Sequence, residues 1–191
     1  MRTRKLNASV RRIAISGHRW NRLDPALESA LREALLSAFA ELESQAPDTV
    51  TTLSCGMAEG ADLVAASVLP ANWNLEALLP LSVDKWRAHL ATNASGDREN
   101  AVRLFDAVMA RPNMSVVELP PAAGDDPDYP ALATRLAQDA DLLVAVWNGD
   151  EGLPGGTGEV VRKTLALEKS VLWISPEPDG FATRLLAPDA A

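Results

Sequence analysis

Cysteine is almost absent from this 191-residue chain, with Cys55 the sole example. No disulfide framework can form, and nothing points to an oxidising compartment. Histidine is nearly as scarce, at two residues. No His/Cys/Asp group has ligand spacing, so neither a metal nor another cofactor is expected. Long apolar runs are missing too: no stretch reaches the roughly 18 residues that a membrane span needs, and no apolar segment follows the basic N-terminus as a signal peptide would require. These absences lead to the expectation of a soluble, cytoplasmic protein without a membrane partner.

What is present is a hydrophobic fraction of 47% and an acidic balance, 26 Asp and Glu against 18 Lys and Arg. That composition and length suit one domain with one sizeable core. Five of the basic residues, Arg2, Arg4, Lys5, Arg11 and Arg12, crowd the first twelve positions. Residues 1–11 are therefore read as a solvated basic arm, 12–176 as the domain and 177–191 as a tail. The rest of the chain is strongly acidic and should repel phosphate backbones, which argues against a nucleic-acid partner.

Short apolar runs alternate with segments of helical period, the pattern of βα units on a parallel sheet. Strands are expected at residues 12–16 (RIAIS), 49–54 (TVTTLS), 74–79 (NLEALL), 115–119 (SVVEL), 141–147 (DLLVAVW) and 170–174 (SVLWI). Helices are expected at 24–45, capped by Asp24 with Pro25 in its first turn, then at 58–69, 129–140 and 155–168. Residues 83–110 read as two helices broken near Ser95 and Gly96. The stretch 120–130, rich in proline and aspartate, reads as an exposed loop. The fold class is α/β: a Rossmann-like parallel sheet of order 3-2-1-4-5 with a sixth strand and helices on both faces.

In such a sheet, ligands sit beyond the carboxyl ends of the strands. Three loops fall there. The first is Ser16, Gly17, His18 and Arg19, where glycine permits close backbone approach and Arg19 offers a planar fork for phosphate. The second runs through Cys55, Gly56, Ala58, Gly60, Ala61 and Asp62, small residues that open a helix to an anion. The third is Gly155, Gly156, Thr157, Gly158 and Glu159, a glycine-rich turn whose amides can form an anion nest beside a hydroxyl and a carboxylate. No Lys-Ser/Thr pair follows it, which disfavours a P-loop triphosphatase, and its place after a late strand disfavours the usual dinucleotide fingerprint. Trp73, Trp86 and Trp173 read as packing, while Trp20 and Trp147 lie near the loops, where a base could stack.

The order and spacing of these three loops, together with the apolar strand at residues 141–147, resemble the SLOG superfamily. That group spans the DNA-processing protein A domain, YpsA-like proteins and the Lonely Guy phosphoribohydrolases. Leu79-Pro80 followed by Asp84-Lys85-Trp86 is similar to the YpsA-like members. The resemblance covers roughly residues 12–174 and implies a Rossmann-like domain whose pocket holds a nucleotide or nucleotide-derived small molecule. The phosphoribohydrolase motif P-G-G-x-G-T-x-x-E is matched at Pro154, Gly155, Gly156 and Gly158, but Glu159 stands at its threonine and Arg162 at its catalytic glutamate. Three readings are open at this point: a ligand-binding or sensor domain, an enzyme cleaving an N-glycosidic bond (phosphoribohydrolase or deoxyribosyltransferase-like) with Glu159 as its carboxylate, and an interaction module. A homo-oligomer is expected.

Overall fold

The computed structural model describes residues 10–123 and 126–187. Its strands are β1 (Val10–Gly17), β2 (Val50–Cys55), β3 (Asn74–Leu79), β4 (Met114–Glu118), β5 (Leu142–Val146), β6 (Ser170–Glu177) and β7 (Gly180–Leu186). Its helices are α1 (Glu28–Gln45), α2 (Ala61–Ser67), α3 (Val83–Asn93), α4 (Arg98–Met109), α5 (Tyr129–Asp139) and α6 (Thr157–Ala166). Asp24 caps a short turn, Pro25–Leu27, that leads into α1, its carboxylate accepting from the Ala26 amide. Gly96 breaks the α3–α4 segment against Trp20: a Cβ there would lie 2.7 Å from that indole.

The seven strands form one sheet of order β4-β3-β2-β1-β5-β6-β7, parallel except for the last pair. The α/β class is as expected, but one placement differs. The strand at 114–118 does not flank β1; it pairs with β3 at the edge, Leu75 opposite Met114 and Leu79 opposite Glu118. Burial explains why. Three of the five residues of β4 are exposed, as an edge strand allows, whereas β5 buries four of its five and takes the place beside β1.

Alternate residues feed two cores. Ile13 and Ile15 of β1 join Val144 and Val146 of β5 under α1 to α4, while Ala14, Leu143 and Ala145 pack with α5 and α6 on the opposite face. The chain thus steps outward through β2, β3 and β4, then returns through α5 to β5. Strand β1 is where the direction reverses.

Both proposed ends are modified. Arg11 belongs to β1 and donates to Leu42 O and Thr51 Oγ1, and Arg12 pairs with Glu76 at 2.7 Å; the strand begins before the expected boundary, and residues 1–9 of the arm lie outside the described residues. Residues 177–187 are not a tail: β7 folds back antiparallel on β6, with Phe181 packed against the first core and Leu186 against the second. Among the described residues no helix is long and apolar enough to cross a membrane.

Candidate functional site

The carboxyl ends of β1, β2 and β5 are drawn together by glycine. A Cβ on Gly17 would sit 2.3 Å from the Ala61 Cβ and 2.9 Å from that of Val146, so only glycine lets β1 end between α2 and β5. Gly155, at φ 76°, lies against Tyr129 at the start of α5 so closely that a Cβ would be 2.4 Å from the tyrosine's own. These approaches leave a cleft of about 240 Å³ between the first loop, the α2 entry, α5 and the loop before α6.

Polar groups line one side of the cleft. Ser16 Oγ lies 3.4 Å from Thr157 Oγ1, and the Gly17 amide donates to Asp62 Oδ1 at 3.2 Å. In the turn entering α6 the Gly156 amide donates to Leu153 O and the Glu159 amide to Gly156 O. The amides of Thr157 and Gly158 make no hydrogen bond within the protein among the described residues, so two open donors at the positive end of a ten-residue helix belong to residues that line the cleft. Leu132, Leu136 and Val160 supply an apolar wall from α5 and α6, with Tyr129 and Trp86 at one end.

The electrostatics assign the cations differently from the sequence. Arg19 lines the cleft, but its guanidinium is committed to the buried Glu59 at 2.5 Å and to Asn93 O. Glu59, 3% exposed, also receives the Ser95 amide and hydroxyl. The Arg19–Glu59 pair therefore pins the α3–α4 connection to the first loop. Arg22, three residues on, lines the cleft and is exposed, and its guanidinium makes no ion pair or hydrogen bond among the described residues. It is the cation with open donors.

His18 is buried, and that burial holds its imidazole below the usual histidine range, against a hydrogen bond to Asn148 Oδ1 that works the other way. Asp62 behaves oppositely. Burial raises its carboxyl to about 7, despite the stabilising amides of Ala58 and Gly17, with Glu59 adding repulsion.

Of the residues named from sequence, Ser16, Gly17, His18, Arg19, Gly56, Ala58, Asp62, Gly155, Gly156, Thr157 and Gly158 line one cleft. Four stand outside the lining. Cys55 is wholly buried beneath it, its thiol 3.5 Å from Asp62 O and pushed well up by burial, which leaves it inert. Gly60 and Ala61 are packing positions against the first loop. The Glu159 carboxylate turns back into its own loop, accepting from the Gly155 amide at 2.6 Å and pairing with Lys163 at 3.2 Å. Those two partners hold it below the ordinary carboxylate range.

Trp20 packs on Gly96, and Trp147 donates its indole N–H to Asp150 O; neither lines the cleft. Sequence reasoning missed Arg22, Tyr129, Asp150 and the apolar wall. Tyr129 carried a signal, as the one tyrosine of the chain placed where a helix opens. A larger, open groove of about 490 Å³ lies elsewhere, between α3 and α4, where Arg87 is tied to Asp106.

No family model matches the chain, and no curated protein matches it. Among solved structures it is similar to DNA processing protein A from Helicobacter pylori, at 14% identity over 90% of this chain and 68% of that one, with a TM-score of 0.55. That protein is described by its single-stranded DNA binding mode. The likeness overturns the exclusion of nucleic acid drawn from net charge. Total charge sums the whole surface, whereas a bound strand meets only a local groove and its donors. The chain has the mostly parallel, Rossmann-like α/β fold that DNA processing protein A, a protein of the SLOG group, also has.

Proposed function

We propose that the chain binds a nucleotide in the cleft at the ends of β1, β2 and β5. The observation that carries this reading is that one cleft is lined by Thr157 and Gly158 at the α6 N-terminus, whose amides are open, by Arg22, whose guanidinium is unpaired, and by the apolar side chains of Leu132, Leu136 and Val160. Open amides, a helix dipole and a guanidinium fork recognise a phosphate. Leu132, Leu136 and Val160 offer a base the apolar surface it needs.

Chemistry at Glu159 gains no support from this geometry, because its carboxylate closes the loop and is not among the residues lining the cleft. A binding role is therefore favoured over N-glycosidic cleavage.

A second reading is that the nucleotide unit belongs to a single strand of DNA. The shared fold with a protein that binds single-stranded DNA favours it. The two are separated by one titration series on the purified chain, using a nucleoside monophosphate by calorimetry and a fluorescent twelve-nucleotide DNA strand by anisotropy. Saturable binding of the monophosphate supports a free nucleotide. Binding of the strand alone, weakening steeply with salt, supports the polymer. Binding of neither removes the proposal.

A further inference from the structure

The cleft contains a buried acid that phosphate recognition leaves unexplained. Asp62 lines it at 7% exposure, in the first turn of α2. Its position relative to α6 follows from two consecutive residues of β1. Ser16 reaches Thr157, and Gly17 donates its amide to Asp62. The Asp62 carboxyl and Thr157 at the start of α6 are therefore held by adjacent residues of β1, and both line the cleft.

An ionised carboxylate at that place would share a poorly solvated cleft with any anion seated on the Thr157 and Gly158 amides. Two like charges so placed cannot both be retained cheaply. We propose that an anionic ligand enters this cleft together with one proton, which the Asp62 carboxyl holds for as long as the ligand is bound. The inference rests on the nucleotide reading of the cleft. The proton comes from solvent, converts the carboxylate to the neutral acid, and gives Asp62 an O–H with which to donate to a ligand oxygen.

The groups around Asp62 leave it as the one to titrate. Cys55 lies beneath it on β2 with its thiol pushed well up. Glu59 precedes it and carries Arg19 as its own partner. His18, past Gly17, is held down by burial, and Tyr129 of α5 is held up by it. Helix α4 approaches α2 with Asn100, Ala101 and Leu104, and from α1 the nearest cation, Arg32, bonds Ser67 at the far end of α2. Among the described residues no cation pairs with Asp62. With its carboxyl raised to about 7 by burial, both of its forms are populated near neutrality.

The test uses the methyl ester of a nucleoside 5′-monophosphate, a phosphodiester whose charge is constant across the range. Its affinity for the intact chain is measured at pH 6 and pH 8, and proton uptake is read at pH 7.5 by calorimetry in two buffers of different ionisation heat. Linkage to a group titrating near 7 makes binding about ten-fold weaker at pH 8 than at pH 6, with about three quarters of a proton taken up at pH 7.5. Asp62→Asn should bind with no proton uptake and the same affinity at both values.

Should that variant fail to fold, His18→Gln gives the control, and its pH dependence should match that of the unaltered chain. Binding that is independent of pH, or a pH dependence that vanishes in His18→Gln, overturns the proton-coupled mechanism while leaving the nucleotide reading intact. Failure of the ester to bind at either pH removes the proton-coupled mechanism together with the free-nucleotide reading.

Discussion

The Gly17 amide donates to the carboxyl of Asp62 at 3.2 Å, joining the end of β1 to the first turn of α2. This bond fixes one wall of the cleft and places an acid, raised to about 7 by burial, beside it. Its pH consequence has a definite sign. The unfolded carboxyl titrates near 4, so the native state holds the proton more tightly, and the associated stability is complete below about pH 4 and lost as pH rises through 7. Three units correspond to about 4 kcal/mol. Chemical denaturation of the unaltered chain and Asp62→Asn from pH 4 to 8 should show the difference between them shifting in favour of the variant by roughly that amount. The subtraction removes the opposite contribution of His18, whose lowered value makes the fold less stable as pH falls. A constant difference would rule out the raised carboxyl.

Gly17→Ala should lower stability by several kcal/mol, because the new methyl would lie 2.3 Å from the Ala61 Cβ and both neighbours belong to packed elements. The melting temperature should fall and ligand binding should fail with it. An alanine variant that melts like the parent would show that β1 and α2 can separate at no cost.

The two arginines of the first loop separate stability from binding. Arg19→Ala leaves the buried Glu59 without its partner and should cost about 3 to 5 kcal/mol. Arg22→Ala removes an exposed cation without a partner, and should change the melting temperature little while weakening nucleotide affinity by about ten-fold or more. Thermal melts and calorimetry on both variants check the pair; the reverse pattern would return the phosphate to Arg19.

Much of this was legible in the sequence, and the limits have physical causes. The glycine loops announced the cleft because close approach leaves a compositional mark: Gly17, Gly56, Gly155 and Gly158 are each at or near it. Strand β4 was misplaced because SVVEL reads as apolar as an interior strand, and only its partner reveals that its side chains face solvent. Strand β7 carries mixed residues (GFATRLL) whose pairing depends on β6. Arg19 and Arg22 have the same chemistry in sequence. What separates them is Glu59, forty positions away from Arg19, and no local pattern encodes that pair. The apolar wall of α5 was hidden for the same reason, since Leu132 and Leu136 have the spacing of ordinary core residues.

Glu159 offers a further check, because the carboxylate acts as the clasp of its loop. Glu159→Gln retains an acceptor for the Gly155 amide but loses the charge that Lys163 and the helix N-terminus favour. Stability should fall by about 0.5 to 1 kcal/mol, with only a small loss of affinity. A large loss of affinity with melting unchanged would instead place the carboxylate on the ligand.

The central claim is that a nucleotide phosphate sits at the start of α6, and amide chemical shifts read this residue by residue. A nucleoside monophosphate titrated into the ¹⁵N-labelled chain should move the Thr157 and Gly158 amides most, with Gly17 and Asp62 following, saturating along one binding curve. Saturating shifts confined to the α3–α4 groove around Arg87, Arg98 and Arg103, with Thr157 and Gly158 unmoved, would contradict the account.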